Sequence, residues 1–565
     1  MPVITKRWEV APTLPAEAIQ ELSGYPPILR QILYNRGHRT HELARLYLEA
    51  QPPPGCEPFN LIDLPKALDR IRFAIQEHEN ILIYGDYDAD GVTATALLGL
   101  ALKSLGAEVT QYIPNRFDEG YGLNLDAIRT LAGQGVNLII TVDCGIRSWD
   151  EADLARSLGI DLIITDHHHP LDELPQAFAV INPKQAGDPY PEKNLAGVGL
   201  AYKLVEAFAL SGKYPNLESR DYLDLVALGT VADLVPLTGE NRSLVRAGLE
   251  MIHQPFRQGL MALIGVSGLT PSRITTSEIG FSLAPRLNAS GRLESALNSL
   301  HLLTSQDPLE VGQLAQWLEV QNRDRQKITR DIQIKAEKQI IIDDQIPLLL
   351  FAADLDYNPG VVGLAASRLT EQYYRPSIIA SIGEEFTRAS CRSIPEFHIT
   401  QALDQCKDLL AHHGGHAAAA GFTVSNELLP ELITRMRAIT EDQLKELDLR
   451  PKITAEVEIP LSDLKPDLLK YLSWLQPTGM GNPTPVFMST GLKVSHQKAV
   501  GAEGVHLKFS VTDGNITYDA IAFRQGYWIA RLPPRIDLMY TFELNEFNGQ
   551  VTLQLNVKDI KATGS

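Results

Sequence analysis

Three apolar runs in this chain each end on acidic residues: ILIYGDYDAD at 81–90, LIITVDCG at 138–145 and LIITDHHH at 162–169. Each reads as a short buried strand. Helical stretches separate them, with LPKALDRIRFAIQEHE before the first run and TATALLGLALKSLG after it. Such alternation requires a parallel sheet with helices on its faces, so the expected fold class is α/β. Ligands of an open parallel sheet bind at the carboxyl ends of its strands. All three acidic ends can therefore meet in one crevice.

The first run poses an electrostatic problem. Asp86, Asp88 and Asp90 alternate, so their side chains point to one side of an extended chain. Two carboxylates about 4 Å apart repel by roughly 4 kcal/mol at an effective dielectric of 20. Either they splay into water or a cation sits between them. Asp143 in TVDCG, Asp166-His167-His168 in TDHHHP and Asp233 in GTVADLVPL extend the pattern. Carboxylates mixed with imidazoles suit Mn²⁺, Zn²⁺ or Fe²⁺, and an all-oxygen site suits Mg²⁺. So many carboxylates can hold two ions about 3.5–4 Å apart with one aspartate bridging them, a device for in-line attack of water on phosphorus. Singly, each residue has a plainer reading. An aspartate after a strand commonly caps the next helix, Asp166 fits as the group that fixes a histidine tautomer, and paired histidines are often structural. Acidic or imidazole groups ending three successive strands are much harder to explain that way.

The 565 residues suffice for roughly three or four domains. Residues 1–60 form an N-terminal extension that ends in QPPPGCEPFN and is expected to pack on the next domain along the chain. The α/β region runs over 61–306, a charged connecting helix over 307–344, and a second α/β domain over 345–445. Residues 451–562 carry five short strands, including HLKFSVTD and ITYDAIAF, and read as a small β-barrel. Cys56, Cys144, Cys391 and Cys406 lie far apart without CxxC spacing, which points to a reducing, cytoplasmic setting. No apolar run is long enough for a membrane span, and the first residues lack a signal-peptide core. The net charge of −18 argues against a protein that coats nucleic acid nonspecifically, but leaves room for an enzyme with a local basic groove.

DYDADG, VDCG, DHH and VADLVPL, in this order, resemble the four motifs of the DHH phosphoesterase superfamily. NRFDEGYGLN, PRLNASGRLE, PGVVGLAASRL, CRSIPEF, GGHAAAAGF and QPTGMGNPTPVF narrow the resemblance to the RecJ family of single-strand-specific exonucleases. It implies a DHH domain, a DHHA1 domain and a C-terminal OB-fold. It also implies Mn²⁺ or Mg²⁺ as cofactor, held as two ions by Asp88, Asp90, Asp143, His167, His168 and Asp233, with Asp143 as the bridge and Asp86 a further candidate ligand. His168 either ligates a metal or contacts the scissile phosphate. Asn358 stands where family members often carry a histidine.

On the substrate side, Arg116 and Arg292 sit in polar, Gly-flanked segments where guanidinium forks grip a phosphate, although Arg116 has a plainer role as partner of Asp118 or Glu119. The resemblance adds Ser390, Arg392 and Ser393 to a pocket for the 5′ end, and His416 as a substrate contact. In HHGGHAAAAGF the glycines let the backbone approach a ligand closely, and the alanines can equally form a tightly packed helix whose N-terminus behind Gly414-Gly415 would favour an anion. In the barrel, Lys508, Phe509, Phe523 and Arg524 are candidates to hold single strands by stacking and phosphate contacts, although alternating aromatics in a barrel are more often core than platform. The expected activity is degradation of single-stranded DNA from 5′ to 3′ by a two-metal mechanism, releasing nucleoside 5′-monophosphates in repair and recombination, with a single-strand-binding protein and a helicase as partners. Two alternatives stand beside it: a phosphodiesterase for short RNA or cyclic dinucleotides, and a nonenzymatic replication scaffold.

Overall fold

The strand Ile81–Tyr84 is buried along its whole length, between Val109–Tyr112 and Leu138–Val142 in a five-stranded parallel sheet completed by Asp161–Thr165 and Ala179–Ile181. The computed structural model describes residues 5–564 except 117, 118, 121, 344 and 548. By chain order the sheet runs 2-1-3-4-5, so its direction of winding reverses between Ile81–Tyr84 and Leu138–Val142. That reversal is the switch point at which such sheets bind ligands. Its two flanking strands are those that run into Asp86 and Asp143.

The helix Ala89–Ser104 has no polar face in its sequence, and is buried from Ala89 through Gly99. A helix apolar all round belongs inside a core. It packs against Gly197–Leu210 and Leu223–Ala232. These contacts bring the start of one helix beside the start of the second and the end of the third.

The connecting helix is continuous over Pro308–Ile340, started by Asp307, whose side chain accepts from the Leu309 amide at 2.8 Å, and by Pro at its first position. Its buried residues, among them Val311, Ala315, Leu318, Asn322, Arg325, Thr329, Ile332 and Ala336, recur every three or four positions and form one stripe. The charged remainder faces water.

Beyond it a mixed sheet orders Leu410–Gly415, Ala419–Ser425, Phe386–Arg392, Ser377–Ile382 and Leu350–Asp354. The alanines after His416 are therefore in a hairpin and not in a helix, and the anion-favouring helix start behind Gly414-Gly415 does not exist. Alanine's helical preference is outweighed because Ala419–Ser425 pairs on both edges, with Ala420, Phe422 and Val424 alternating into the core. Gly415, at φ 143° with the Ala419 carbonyl and the Ala420 backbone where a Cβ would stand, lets the chain reverse.

The chain divides into two compact units. The one just described comprises residues 57–233 and 247–451; the other comprises 6–56, 234–246 and 452–564. In the second, five strands close a barrel in the order Phe487–Val500, His506–Thr512, Thr517–Ala522, Gln550–Ala562, Arg535–Phe547, with Phe487 opposite Tyr540 at the closure. Phe509 is buried in its core, so it is no stacking platform; Phe523 is exposed, and Lys508 lies 3.5 Å from Asp519. Residues 6–56 of the N-terminal extension belong to this unit and not to the domain next to them in sequence. Arg7–Val10 pairs in parallel with Lys452–Ala455, and Leu22, Leu29, Ile32 and Leu33 share a core with Phe487, Tyr540 and Leu555. Asn482 of GMGNP fixes that arrangement: its Oδ1 accepts from Tyr47 at 2.6 Å, and its Nδ2 donates to the Leu475 and Pro477 carbonyls at 3.1 and 2.7 Å.

Arg242, fully buried, donates to the carbonyls of Tyr47, Trp474, Leu475 and Pro477 at 2.8 to 3.2 Å. Arg242→Ala strands buried acceptors at about 1–3 kcal/mol each. A loss of more than about 3 kcal/mol in urea-unfolding stability is expected, and a loss below about 1 kcal/mol would contradict that role. Among the described residues no helix is long and apolar enough to cross a membrane.

Candidate active site

Asp86 leaves the end of Ile81–Tyr84, and Asp88 caps the following helix, its Oδ1 accepting from the Asp90 and Gly91 amides at 2.9 and 3.1 Å. The capping role thus holds for Asp88. Asp90 lies inside that helix, and its two oxygens accept from Gly197 N at 2.6 Å and Val198 N at 2.8 Å, at the start of Gly197–Leu210. Asp233 caps the far end of Leu223–Ala232. Two glycines make this convergence possible: a Cβ on Gly197 would lie 2.5 Å from Asp143, and one on Gly229 would lie 2.8 Å from Asp90 Oδ1.

Asp143 follows Leu138–Val142 in the left-handed region, at φ 63°. Aspartate is one of the few side chains that tolerate that region, which turns its carboxyl away from the strand direction. Its Oδ1 lies 3.1 Å from His167 Nε2, which is 3.5 Å from Asp233 Oδ2. His168 Nδ1 meets Asp166 Oδ1 at 2.7 Å, and the other Asp166 oxygen accepts from the Ile146 amide at 2.9 Å. Asp166 therefore fixes a histidine, as read from sequence. Among the described residues, three sets of side chains bring one ligand-capable atom each within 4.8 Å of one another: Asp86, Asp88 and Asp143; Asp90, His167 and Asp233; Asp143, His167 and His168. Every candidate metal residue is in at least one set.

The crowding shows in the protonation of these groups. Burial, then the charge of Asp88, raises Asp86 well above the usual carboxylate range and Asp90 to about 7. Burial and the neighbouring aspartates lift Asp143 well above it and Asp233 to about 9. Burial, then His168, pushes His167 down to about 3, so it meets the aspartates as a neutral imidazole and not as an ion-pair partner. Burial works against a charged His168, but the Asp166 hydrogen bond and the charges of Asp166, Asp86 and Asp88 together outweigh it and raise that histidine. Asp86 Oδ1 and His167 Nδ1 are buried without a hydrogen-bond partner among the described residues.

A cavity of about 190 Å³ adjoins this cluster, lined by Tyr87, Arg116, Gly360, Arg388 and Ser390 among others. Arg116 lies over the Tyr87 ring at 4.9 Å. Arg292 donates to the Gly360 carbonyl at 3.3 Å; burial and then the Arg116 charge lower it to about 10, still cationic at neutral pH. Arg392 Nε donates to Ser367 Oγ at 3.1 Å. Ser393 is turned elsewhere, its hydroxyl donating to the Phe397 carbonyl at 2.6 Å. Asn358 Oδ1 accepts from the Gly360 amide at 2.8 Å, which shapes the turn above the cavity. The ring of His416 lies 6.4 Å from that of His169, and burial, then the charge of His168, lowers it. Arg388 and Tyr87 were not singled out in sequence. Arg388 had a signal, since it precedes Ser390 by two on one strand and so shares its face.

The model of the DHH family N-terminal domain matches residues 80–230, that of the DHHA1 domain 345–446 and that of the RecJ OB domain 455–559. A Bacillus subtilis (strain 168) protein named single-stranded-DNA-specific exonuclease RecJ is 39% identical over 559 residues, which cover 98% of this chain and 70% of that protein. The chain belongs to the RecJ family. Its member from Escherichia coli K12, of the same name, is 34% identical over 98% of both chains. The crystal structure of RecJ in complex with Mn²⁺ from Thermus thermophilus superposes with a TM-score of 0.85 at 30% identity, covering 99% of this chain and 80% of that one. The α/β class, the DHH and DHHA1 domains and the terminal OB barrel are those of this RecJ fold.

Proposed function

We propose that this chain is a metal-dependent exonuclease that degrades single-stranded DNA from its 5′ end and releases nucleoside 5′-monophosphates. The observation that carries this reading is the meeting, at the switch point of the sheet, of five aspartates and two histidines beside an arginine-lined cavity. The residues fit a pair of divalent cations. Buried carboxylates that otherwise keep protons, a neutral imidazole and an unpartnered Asp86 oxygen form a donor set for Mn²⁺ or Mg²⁺. Asp86, Asp88, Asp90, Asp143, His167, His168 and Asp233 would hold the ions, Asp143 being a member of two of the ligand sets. Ions bound there lower the pKa of water and neutralise charge that develops on phosphoryl oxygens.

The chain's own residues do the rest. Asp166 holds the Nδ1 side of His168 and so sets that ring's tautomer and turn. Arg116, Arg292 and Ser390, with Arg392 behind them and Arg388 beside them, take the 5′ phosphate in the cavity. Tyr87, between two of the aspartates, ties that cavity to the reacting bond. His416 meets the next phosphate. None of these groups reads a base edge, which suits an enzyme that must pass every sequence. A single-strand-binding protein and a helicase are the partners we infer, in DNA repair and recombination.

Arg116→Ala is expected to raise KM about 10- to 100-fold for 5′-phosphorylated strands, the value of a charged hydrogen bond, and to act much less on strands with a 5′ hydroxyl. Equal effects on both ends would remove Arg116 from phosphate binding. The reading as a whole is tested with 40-mers labelled at either end, as single-stranded DNA, duplex and RNA. Mn²⁺-dependent release of mononucleotides from the 5′ end of single-stranded DNA supports it. Survival of long DNA while RNA of two to five nucleotides is cleaved would overturn it.

A further inference from the structure

The segment His167-His168-His169 lies outside helix and strand, yet each of its carbonyls is held by a side chain from another segment. Lys184 Nζ donates to the His167 carbonyl at 2.5 Å, and Asn182 Nδ2 to the His168 carbonyl at 2.8 Å. Arg147 Nε and Nη2 donate to the His169 carbonyl at 3.1 and 3.0 Å. Asn182 is fully buried, and its Oδ1 accepts from the Lys184 amide at 2.8 Å, so one turn after Ala179–Ile181 sets two of the donors. Arg147 closes the loop that begins at Asp143, and this loop is joined to the histidine segment a second time, through Ile146 N and Asp166. Three consecutive carbonyls gripped by two cations and an amide are far more restraint than a connection of this length requires. Charged donors also make the stronger hydrogen bonds.

We propose that Lys184, Asn182 and Arg147 are positioning residues. They hold the main chain of 167–169 so that the imidazoles of His167 and His168 remain directed at the cations. Imidazole ligands need such support, because a ring swings with its backbone, and groups behind the ligands commonly tune metal affinity about 10- to 100-fold. Lys184 is the central member, since its ammonium also lies in the field of Asp233 and Asp166. The proposal rests on the metal-binding reading above.

The test uses the full chain and Mn²⁺ alone, with free Mn²⁺ followed by electron paramagnetic resonance. Lys184→Met is expected to bind Mn²⁺ about 10- to 100-fold more weakly than the wild type, and to show faster amide exchange across residues 166–169 in EDTA. Lys184→Arg keeps a cationic donor and is expected to recover most of that affinity. Arg147→Met removes an exposed pair of hydrogen bonds at the end of the segment and is expected to weaken binding by about 3- to 10-fold. Lys184→Met and Arg147→Met proteins that bind Mn²⁺ as the wild type does would overturn the clamp while leaving the metal reading intact. A wild type that binds no Mn²⁺ would overturn the metal reading itself, and this proposal with it.

Discussion

Replacing Asp143 with Asn removes exonuclease activity by at least about 1,000-fold, equivalent to about 4 kcal/mol of transition-state stabilisation, and leaves the fold intact or firmer. Asp143 belongs to two of the three ligand sets, so the change touches both proposed ions at once. Asn keeps the shape but provides a weaker, neutral donor, and its NH₂ repels a cation. The same change relieves a fully buried carboxyl that burial and four neighbouring aspartates disfavour as an anion. The melting temperature in EDTA is therefore expected to stay level or rise, a familiar exchange at active sites, where stability is given up for function. Retention of more than a tenth of the activity would take Asp143 out of the centre. A collapse of the melting temperature would make its role structural.

Chelation is expected to abolish cleavage, and the stabilisation conferred by Mn²⁺ should widen as pH rises from about 6 to about 8.5. Asp90 and Asp233, raised to about 7 and about 9, hold protons in the metal-free fold. The unfolded chain releases those protons near pH 4. A carboxyl raised in the folded state contributes stability that is fully present below its unfolded value and lost as pH rises through its folded value. The metal-free protein thus loses this contribution between about pH 4 and 9, whereas bound cations compete with protons and replace them. At a hundred times Kd the ion adds about 2.7 kcal/mol. The difference in melting temperature between Mn²⁺-loaded and EDTA-treated protein, taken across that range, checks the sign. A difference that shrinks toward high pH would mean that the carboxylates do not receive the metal.

The centre was legible in sequence because its chemistry is local: buried strands announce themselves by apolar runs, and the residues just after each run are those that face the crevice. Asp86, Asp88, Asp90, Asp143, His167 and His168 are all of this kind. Asp233 ends a helix instead, so no strand-end pattern marks it; it joins the set as the aspartate of GTVADLVPL, and the resemblance of VADLVPL supports it. Features decided by pairing at long range were less legible. Ala419 and Ala420 open a strand because Leu410–Gly415 and Phe386–Arg392 pair with it on its two sides. Residues 6–56 join the barrel through Arg7–Val10 and Lys452–Ala455, a contact no local pattern encodes. Phe509 lies inward, since alternation in a barrel does not say which face is the core. Lys184 and Asn182 act through backbone carbonyls, which leave no mark in a motif of side chains.

Anomalous scattering from crystals grown with Mn²⁺ tests the central claim most directly. Two peaks about 3.5–4 Å apart, with Asp143 between them and His167 on one, are the expected result. No peak among these aspartates, at a Mn²⁺ concentration that supports cleavage, would contradict it.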